Sequence, residues 1–307
     1  MYQHTTDEVV MVRPAAFFAN PETAADNVYQ QSSDEKLEVI QTKALKEFDD
    51  LVTILRAEGL KVNVLQDIVL PSTPDSIFPN NWFSSHEGAT MIVYPMFPKF
   101  RRDEAGKFQN SIAQIAQKKA KKGEFFRVID YSYNTEIEKY LEGTGAMVID
   151  RKNKVAYCCI SQRADKELFE KFCKDTGHEA VSFHAQQDGK PVYHTNVIMG
   201  IGQENAIICL DAIVDKKERE MVENKLKSGG NIIVEITLEQ VKQFLGNNLE
   251  LKGKNGNILT MSEVAYKALT TEQIKMIEKS TKIVYAPIET IEFYGGGSVR
   301  CMIAEIF

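Results

Sequence analysis

The chain has 307 residues, is 43% hydrophobic and 26% charged, and carries a formal net charge of −6. That length allows one large domain or two ordinary ones around a substantial core, and the acidic balance disfavours a nucleic-acid surface, which shows a basic stripe. No run of roughly 18 apolar residues suggests a membrane span, and the N-terminus MYQHTTDEVVMVRP lacks the basic stretch and apolar core of a secretory signal.

From the N-terminus, the β-branched run VVMV (9–12) reads as a strand. In 36–59, Leu37, Ile40, Ala44, Leu45, Phe48, Leu51, Val52 and Leu55 recur at helical spacing, and Gly59 is a C-terminal stop. The strand KVNVL (61–65) follows. The loop TPDSIFPNNWFSSHEG (73–88) then packs Asp75, Asn80, Asn81 and the single tryptophan together before the strand TMIVYP (90–95). Polar side chains there either make turns or line a small-molecule pocket. A helix over about 104–121 ends in KKAKKG (118–123), read as a solvated face, and leads to the strand EFFRVID (124–130).

LEGTGAMVID (141–150) places Glu142 ahead of glycines and a strand; it lacks the third glycine and the following helix of a dinucleotide fingerprint. KVAYCCI (154–160), a helix over 164–175 and HEAVSFH (178–184) come next. PVYHTNVIMG sets His194 where a strand over 195–201 begins. NAIICL (205–210), a helix over 214–227, NIIVEIT (231–237), helices over 237–245 and 262–279 and KIVYAPI (282–288) complete the alternation. The post-helical strands recur about 55 residues apart, a weak repeat of pattern without matching residues. No linker divides the chain, which favours one domain over 1–307. A doubly wound sheet would show a similar alternation.

The five cysteines are Cys158, Cys159, Cys173, Cys209 and Cys301. The odd number, irregular spacing and absence of CxxC point to reduced thiols in a cytoplasmic protein rather than a disulfide framework or zinc ribbon. Cys158 and Cys159 lie mid-strand. Cys301 stands in GGGSVRCM (295–302), behind three glycines and Arg300. It reads either as a small buried residue of a closing strand, RCMIAEI, or as a nucleophile that a nearby cation and exposed backbone N–H groups would assist. Among five histidines, His194 and His86 are the candidates for proton transfer.

Together these segments resemble the guanidino-group modifying superfamily of arginine deiminases, dimethylarginine dimethylaminohydrolases, agmatine deiminases and glycine amidinotransferases. VRPAAF (12–17) is similar to its arginine-proline start, and PDSIFPNN (74–81) to the loop the dimethylarginine hydrolases write as PD-x-x-F-x-E-D. LEGTGAMV (141–148) is similar to the acidic-Gly-Gly-Asp segment, ISQRAD (160–165) to S-x-R-T-N, YHTN (193–196) to the histidine strand and GGGSVRCM to the glycine-rich cysteine loop. The pieces occur in the family's order across nearly the whole chain. The resemblance implies an α/β fold, a five-bladed pseudo-symmetric propeller (pentein) of ββαβ units around a central channel, with the glycine loop carrying the nucleophile into that channel.

By the same resemblance, Cys301 is the nucleophile, His194 the general acid and base, and Glu142 binds substrate N–H groups and orients the site. Asp75 resembles the residue that contacts the substrate α-amine, Arg163 a carboxylate-binding arginine and Arg13 a second one. The chain departs from its guanidine-processing relatives by carrying Asn80 and Asn81 where they have two acids, Asn196 where deiminases have Asp, and Gly145 in place of Asp. Carboxylates hold a cationic guanidinium; an uncharged amide both donates and accepts. The amides Asn80, Asn81 and Asn196 therefore suit a neutral ureido group, and the pattern looks most like the citrulline utilisation hydrolase branch. It implies cysteine-dependent cleavage of citrulline to ornithine and carbamate, without metal or organic cofactor. The partner implied is a small amino acid, with no nucleic acid or membrane, and a homo-oligomer is compatible. A deiminase or dimethylarginine hydrolase, an amidinotransferase and a non-catalytic binder remain alternatives, and the roles of His86 and Arg300 stay open.

Overall fold

The computed structural model describes residues 4–23 and 27–307, so the first three residues of the N-terminal segment read above lie outside the described residues. Its principal strands form five separate three-stranded sheets built on one plan, a hairpin followed by a helical crossover to a parallel third strand.

In the first blade β1 (Glu8–Arg13) runs parallel to β2 (Lys61–Gln66), joined by α1 (Leu37–Ala57). In the second, β3 (Phe83–His86) pairs antiparallel with β4 (Thr90–Val93), and α2 (Lys99–Gln117) leads to β5 (Arg127–Asp130). In the third, a single helical turn, α3 (Gly143–Ala146), enters β6 (Met147–Asp150) and β7 (Val155–Cys159), and α4 (Lys166–Thr176) leads to β8 (Glu179–Phe183). The small hairpin β9 (Gln186–Gln187) and β10 (Lys190–Pro191) precedes the fourth blade. That blade holds β11 (Met199–Ile201), β12 (Asn205–Ile208), α5 (Lys216–Ser228) and β13 (Ile232–Glu235).

After α6 (Leu238–Lys242), the fifth blade has β14 (Leu249–Gly253), β15 (Gly256–Ser262), α7 (Glu263–Ala268), α8 (Thr271–Ile277) and β16 (Lys282–Ala286). Finally α9 (Glu289–Gly295) and the turn α10 (Val299–Met302) lay β17 (Ala304–Glu305) antiparallel on β1, so the C-terminus completes the first blade. The leading strands of neighbouring blades touch, β3 with β17, β6 with β11 and β11 with β14, forming an inner ring. The long helices lie outside this ring. α1 turns Ile40, Ala44, Phe48, Leu51, Val52 and Leu55 inward, as its 3.6-residue period requires.

The doubly wound alternative is thus replaced by separate sheets, because each crossover returns the chain to the hairpin it has just left. Several boundaries also differ from the sequence reading. The expected strand over 195–201 starts as a 3₁₀ turn, Thr195–Val197. The expected closing strand RCMIAEI begins in the α10 turn, and only Ala304–Glu305 pair as a strand. A helical turn does follow Glu142, and the β14–β15 hairpin occupies a stretch where no strand was expected. The expected helix over 262–279 is two helices. Leu269 is extended (ψ 137°), and Thr270 caps α8 by a reciprocal capping box with Gln273. Replacing that cap in Thr270→Ala lowers stability by about 1 kcal/mol; the midpoint of denaturant unfolding reads the change.

Candidate active site

Each blade contributes a buried turn directly ahead of its leading strand. Pro79–Asn81 precedes β3 and α3 precedes β6. Thr195–Val197 precedes β11 and α10 precedes β17. A turn in which Asn247 N donates to Phe244 O precedes β14. Four of the turns line one cavity of about 440 Å³, counting its mouth, whose lining includes Cys301, His194, Asn196, Asn81, Asp75 and Arg163, and α3 packs against the turns of the second and fourth blades.

Glu142 is fully buried beside this cavity. Its Oε1 accepts from Phe97 N at 2.9 Å, and its Oε2 accepts from His194 Nε2 at 2.7 Å with Arg163 Nη1 at 3.5 Å. Burial alone would raise its pKa, but Arg163, the His194 hydrogen bond and Arg101 outweigh it and hold the carboxyl down at about 2. Burial pulls the His194 imidazole below its usual 6.5, and the bond to Glu142 offsets this only in part. The resting site therefore pairs a carboxylate with a neutral imidazole that donates through Nε2. Arg163 lies over the Tyr193 ring, its Cζ 4.8 Å from the centroid.

Cys301 Sγ lies 3.2 Å from Asn247 Nδ2 and 3.6 Å from Asn196 Nδ2. Asn247 also accepts from Arg300 N at 3.0 Å and donates to Asn196 O at 3.3 Å, so it fixes the cysteine turn against the histidine turn. The other four cysteines are buried free thiols whose pKa values burial pushes up, to about 12 for Cys159 and Cys173 and about 11 for Cys209. Cys158 is raised well above 9 for the same reason.

Asn81 Oδ1 accepts from Arg101 Nη1 at 2.7 Å, which directs its Nδ2 the other way, buried and without a partner among the described residues. Asn196 Oδ1 and Asp75 Oδ1 are likewise unpartnered; the second oxygen of Asp75 accepts from Asn20 Nδ2 at 2.8 Å. A Cβ at Gly145 would stand 2.1 Å from Asn81 Nδ2 and 2.9 Å from His194 Nδ1, so only glycine lets these two side chains approach. The glycine run has a similar role: a Cβ at Gly295 would lie 2.7 Å from Phe78 Cζ, and Gly296 takes φ +62° against Asn27.

Two residues expected in the site lie elsewhere. Arg13 forms a partly exposed bidentate pair with Asp49, with both N–O distances 2.8 Å. Asn80 is buried behind the cavity, its Nδ2 3.3 Å from Thr144 Oγ1. His86 and Arg300 also lie outside it: His86 bonds Ser84 and Arg300 pairs with Glu305 at 2.8 Å. Conversely, sequence reasoning missed Asn247, Arg101, Asn27 and Tyr193. Asn247 had a signal, since it fills the fifth blade's copy of the turn before a leading strand. Arg101, held by Glu104 at 2.8 and 3.0 Å, lies on a helix and had none. Among the described residues no group of three or more His, Cys, Asp or Glu could hold a metal ion, and no helix is long and apolar enough to cross a membrane.

The family described as N,N dimethylarginine dimethylhydrolase, eukaryotic, matches residues 13–307. No curated protein matches the chain. Among solved structures, the N-terminal domain of ArgZ, an arginine dihydrolase from the ornithine–ammonia cycle in cyanobacteria, aligns with TM-score 0.74 and 15% identity over 97% of each chain, as a cysteine-to-serine variant bound to substrate. A cysteine-to-alanine variant of AgrE with L-arginine aligns with TM-score 0.74 and 13% identity over 98% of this chain and 40% of that one. A histidine-to-glycine variant of dimethylarginine dimethylaminohydrolase, as an adduct with S-methyl-L-thiocitrulline, aligns with TM-score 0.66 and 13% identity over 99% of both chains. At these identities the likeness is one of fold.

Two outcomes follow from the geometry. The His194 resonance in a histidine NMR titration has its midpoint below 6.5, and Glu142→Gln moves it lower still, because the hydrogen bond that raises it is lost. Asn247→Ala, which frees the cysteine turn, lowers turnover up to about 100-fold with little change in KM, read by steady-state kinetics.

Proposed function

The chain belongs to the N,N-dimethylarginine dimethylhydrolase family of the pentein guanidino-group modifying superfamily, and on that premise we propose that it is a cysteine hydrolase of citrulline. The observation that carries this reading is the polarity of the two amides on the cavity wall. Arg101 occupies the oxygen of Asn81 and leaves an N–H donor open, while Asn196 leaves an acceptor open. A ureido group offers a carbonyl oxygen to the first and an NH₂ to the second. A guanidinium offers only donors and would face Asn81 Nδ2 with another N–H, leaving buried polar groups unpaired.

In this mechanism Cys301 attacks the ureido carbon and its thiol proton passes to His194, neutral in the resting site and oriented by Glu142 through Nε2. The tetrahedral adduct expels ornithine, whose departing amine takes that proton. The S-carbamoyl enzyme is then attacked by water with His194 as base, releasing carbamate, which decays to carbon dioxide and ammonia. The open oxygen of Asp75 receives the α-ammonium, and Arg163, stacked on Tyr193, receives the α-carboxylate. Asn80, behind Asn81, supports that wall through Thr144. Residues from all the blades form this single site, so residues 1–307 act as one catalytic domain, working in the cytoplasm with its thiols reduced.

A second reading is favoured by the ArgZ and AgrE structures, whose ligands include arginine. Converting a guanidine to an amine with release of ammonia and carbon dioxide, without urea, takes two C–N hydrolyses, the second of them on a ureido group, so an arginine dihydrolase would use the same amides in its second half. ArgZ has been captured covalently bound to a reaction intermediate in a variant with one asparagine changed to serine.

Purified protein incubated separately with citrulline, arginine and dimethylarginine separates these readings. Ornithine and ammonia form from citrulline, and Cys301→Ser loses at least about 10³-fold of that turnover. Ornithine from both citrulline and arginine assigns the dihydrolase, and turnover of arginine or dimethylarginine without any of citrulline overturns both. Asn81→Asp, which faces the cavity with a charge in place of the N–H donor, raises the arginine-to-citrulline ratio of kcat/KM by at least about tenfold.

A further inference from the structure

A second cavity, of about 500 Å³ counting its mouth, opens between the second and third blades and is lined by His86, Arg127, Arg151, Lys154 and His178, among others. It lies at the far ends of the strands that carry the active site. Asn81 precedes the start of β3 and His86 ends it; Gly145 precedes the start of β6 and Arg151 follows its end. A four-residue strand at about 3.3 Å per residue puts roughly 13 Å between the two ends.

The cavity is lined by more cationic than anionic side chains. Arg151 is buried with its Cζ 3.8 Å from the centroid of the Phe307 ring, yet its polar contacts among the described residues are long: Ser85 O at 3.4 Å, His86 Nδ1 at 3.5 Å and Glu305 Oε1 at 3.9 Å. A buried guanidinium without short hydrogen bonds is costly, and an anion would relieve it. Arg127 reaches in from the start of β5, where its Nη2 donates to Thr90 Oγ1 at 3.2 Å. His178 bonds Thr176 Oγ1 through Nδ1 at 2.8 Å, which leaves its buried Nε2 without a partner. The single hydrogen of the threonine hydroxyl is donated to Phe172 O at 2.7 Å, so Oγ1 accepts from Nδ1 and Nε2 carries the lone pair. His86 is neutral and bonded to Ser84 Oγ at 2.7 Å.

Two carboxylates also line the wall, Glu87 and Asp175. Asp175 is already engaged by Tyr131 Oη at 2.7 Å and Lys171 Nζ at 2.6 Å. Against Arg127, Arg151 and Lys154 they leave a net positive cavity, with donors arriving from the ends of separate strands. That arrangement suits a ligand with lone pairs in several directions.

We propose that this inter-blade cavity binds a small tetrahedral oxyanion, as free phosphate or as the phosphoryl end of a small ester, held by Arg151, Arg127 and Lys154 with a P–OH of its protonated form donating to His178 Nε2. The site is separate from the catalytic cavity and does not depend on which amino acid is cleaved there.

Isothermal titration calorimetry of the full chain in chloride buffer tests it, with inorganic phosphate in one arm and glycerol 3-phosphate in the other. The expected result is millimolar or tighter binding that weakens at least about tenfold in Arg127→Gln and Lys154→Gln. It is unchanged in Arg163→Gln, which alters the catalytic cavity. Arg127 is exposed and Lys154 half-buried, so both variants keep the fold, checked by thermal melting, and they keep citrulline turnover. Binding of phosphate alone assigns the free ion, and binding of both assigns the phosphoryl group. Absence of phosphate binding, affinity in the Arg127 and Lys154 variants equal to that of the unaltered chain, or loss only in Arg163→Gln overturns the proposal.

Discussion

The burial of one carboxylate governs this structure. Glu142 has no exposure, and a charge withdrawn from water must find its partners within the protein. Those partners arrive on separate pieces of chain: Phe97 N from the segment after β4, Arg163 from the loop after β7, and His194 from the turn before β11. The carboxylate is satisfied only when the second, third and fourth blades have closed around the channel. Removing one member would strand the others, which typically costs about 3–5 kcal/mol for a buried pair. The same contacts align the imidazole, which burial keeps neutral against the pull of the carboxylate, so blade assembly and assembly of the Glu142–His194 pair are one event.

Selectivity rests one layer further out. The amides at Asn81 and Asn196 are uncommitted as chemical groups, since either end can face a ligand. Arg101 removes the ambiguity for Asn81 by binding its oxygen. Burial pulls the basicity of Arg101 down, and Glu104 more than restores it, so the residue that orients the amide stays cationic. The Arg101–Glu104 pair thus decides whether this part of the wall donates or accepts. Asn247 stands in the same relation to Cys301, fixing its turn through both ends of its amide.

The legible and illegible parts of the sequence divide along physical lines. The helices α1, α2, α4 and α5 show because their apolar positions recur at 3.6 residues, and the parallel strands that follow them show as apolar runs. Those runs carry the pseudo-fivefold repeat. The leading strands show unevenly: β6 and β11 lie within runs read as strands, β3 and β14 lie where none was expected, and β17 has two residues, too few for any period. The break between α7 and α8 was marked by T-x-x-Q at Thr270, but the apolar period runs through it. Motif order names Cys301, His194, Glu142, Asp75, Asn81, Asn196 and Arg163, and the structure places six of them on the lining of one cavity with Glu142 buried beside it. Arg13 and Asn80 sit in matching motifs yet lie off the cavity, since a motif fixes position along the chain and not the direction of a side chain. Arg101 was hidden because a charged residue on an amphipathic helix ordinarily faces solvent.

The glycine run ahead of Cys301 is clamped rather than loose. Phe78 packs where side chains at Gly295 and Gly297 would be, and Asn27 Nδ2 donates to Gly295 O at 3.3 Å while its Oδ1 accepts from Tyr193 Oη at 3.0 Å. The segment therefore passes between the first-loop aromatic and the histidine turn, a gap that any Cβ would close. Beyond it the chain makes one helical turn and ends in β17, paired with β1 through Val9–Glu305 and Val10–Ala304. That short pairing joins the two ends of the chain and places the cysteine turn in the inner ring. A thiol six residues from the C-terminus is thus delivered by the strand that closes the first blade, and its position depends on that closure more than on the glycines themselves.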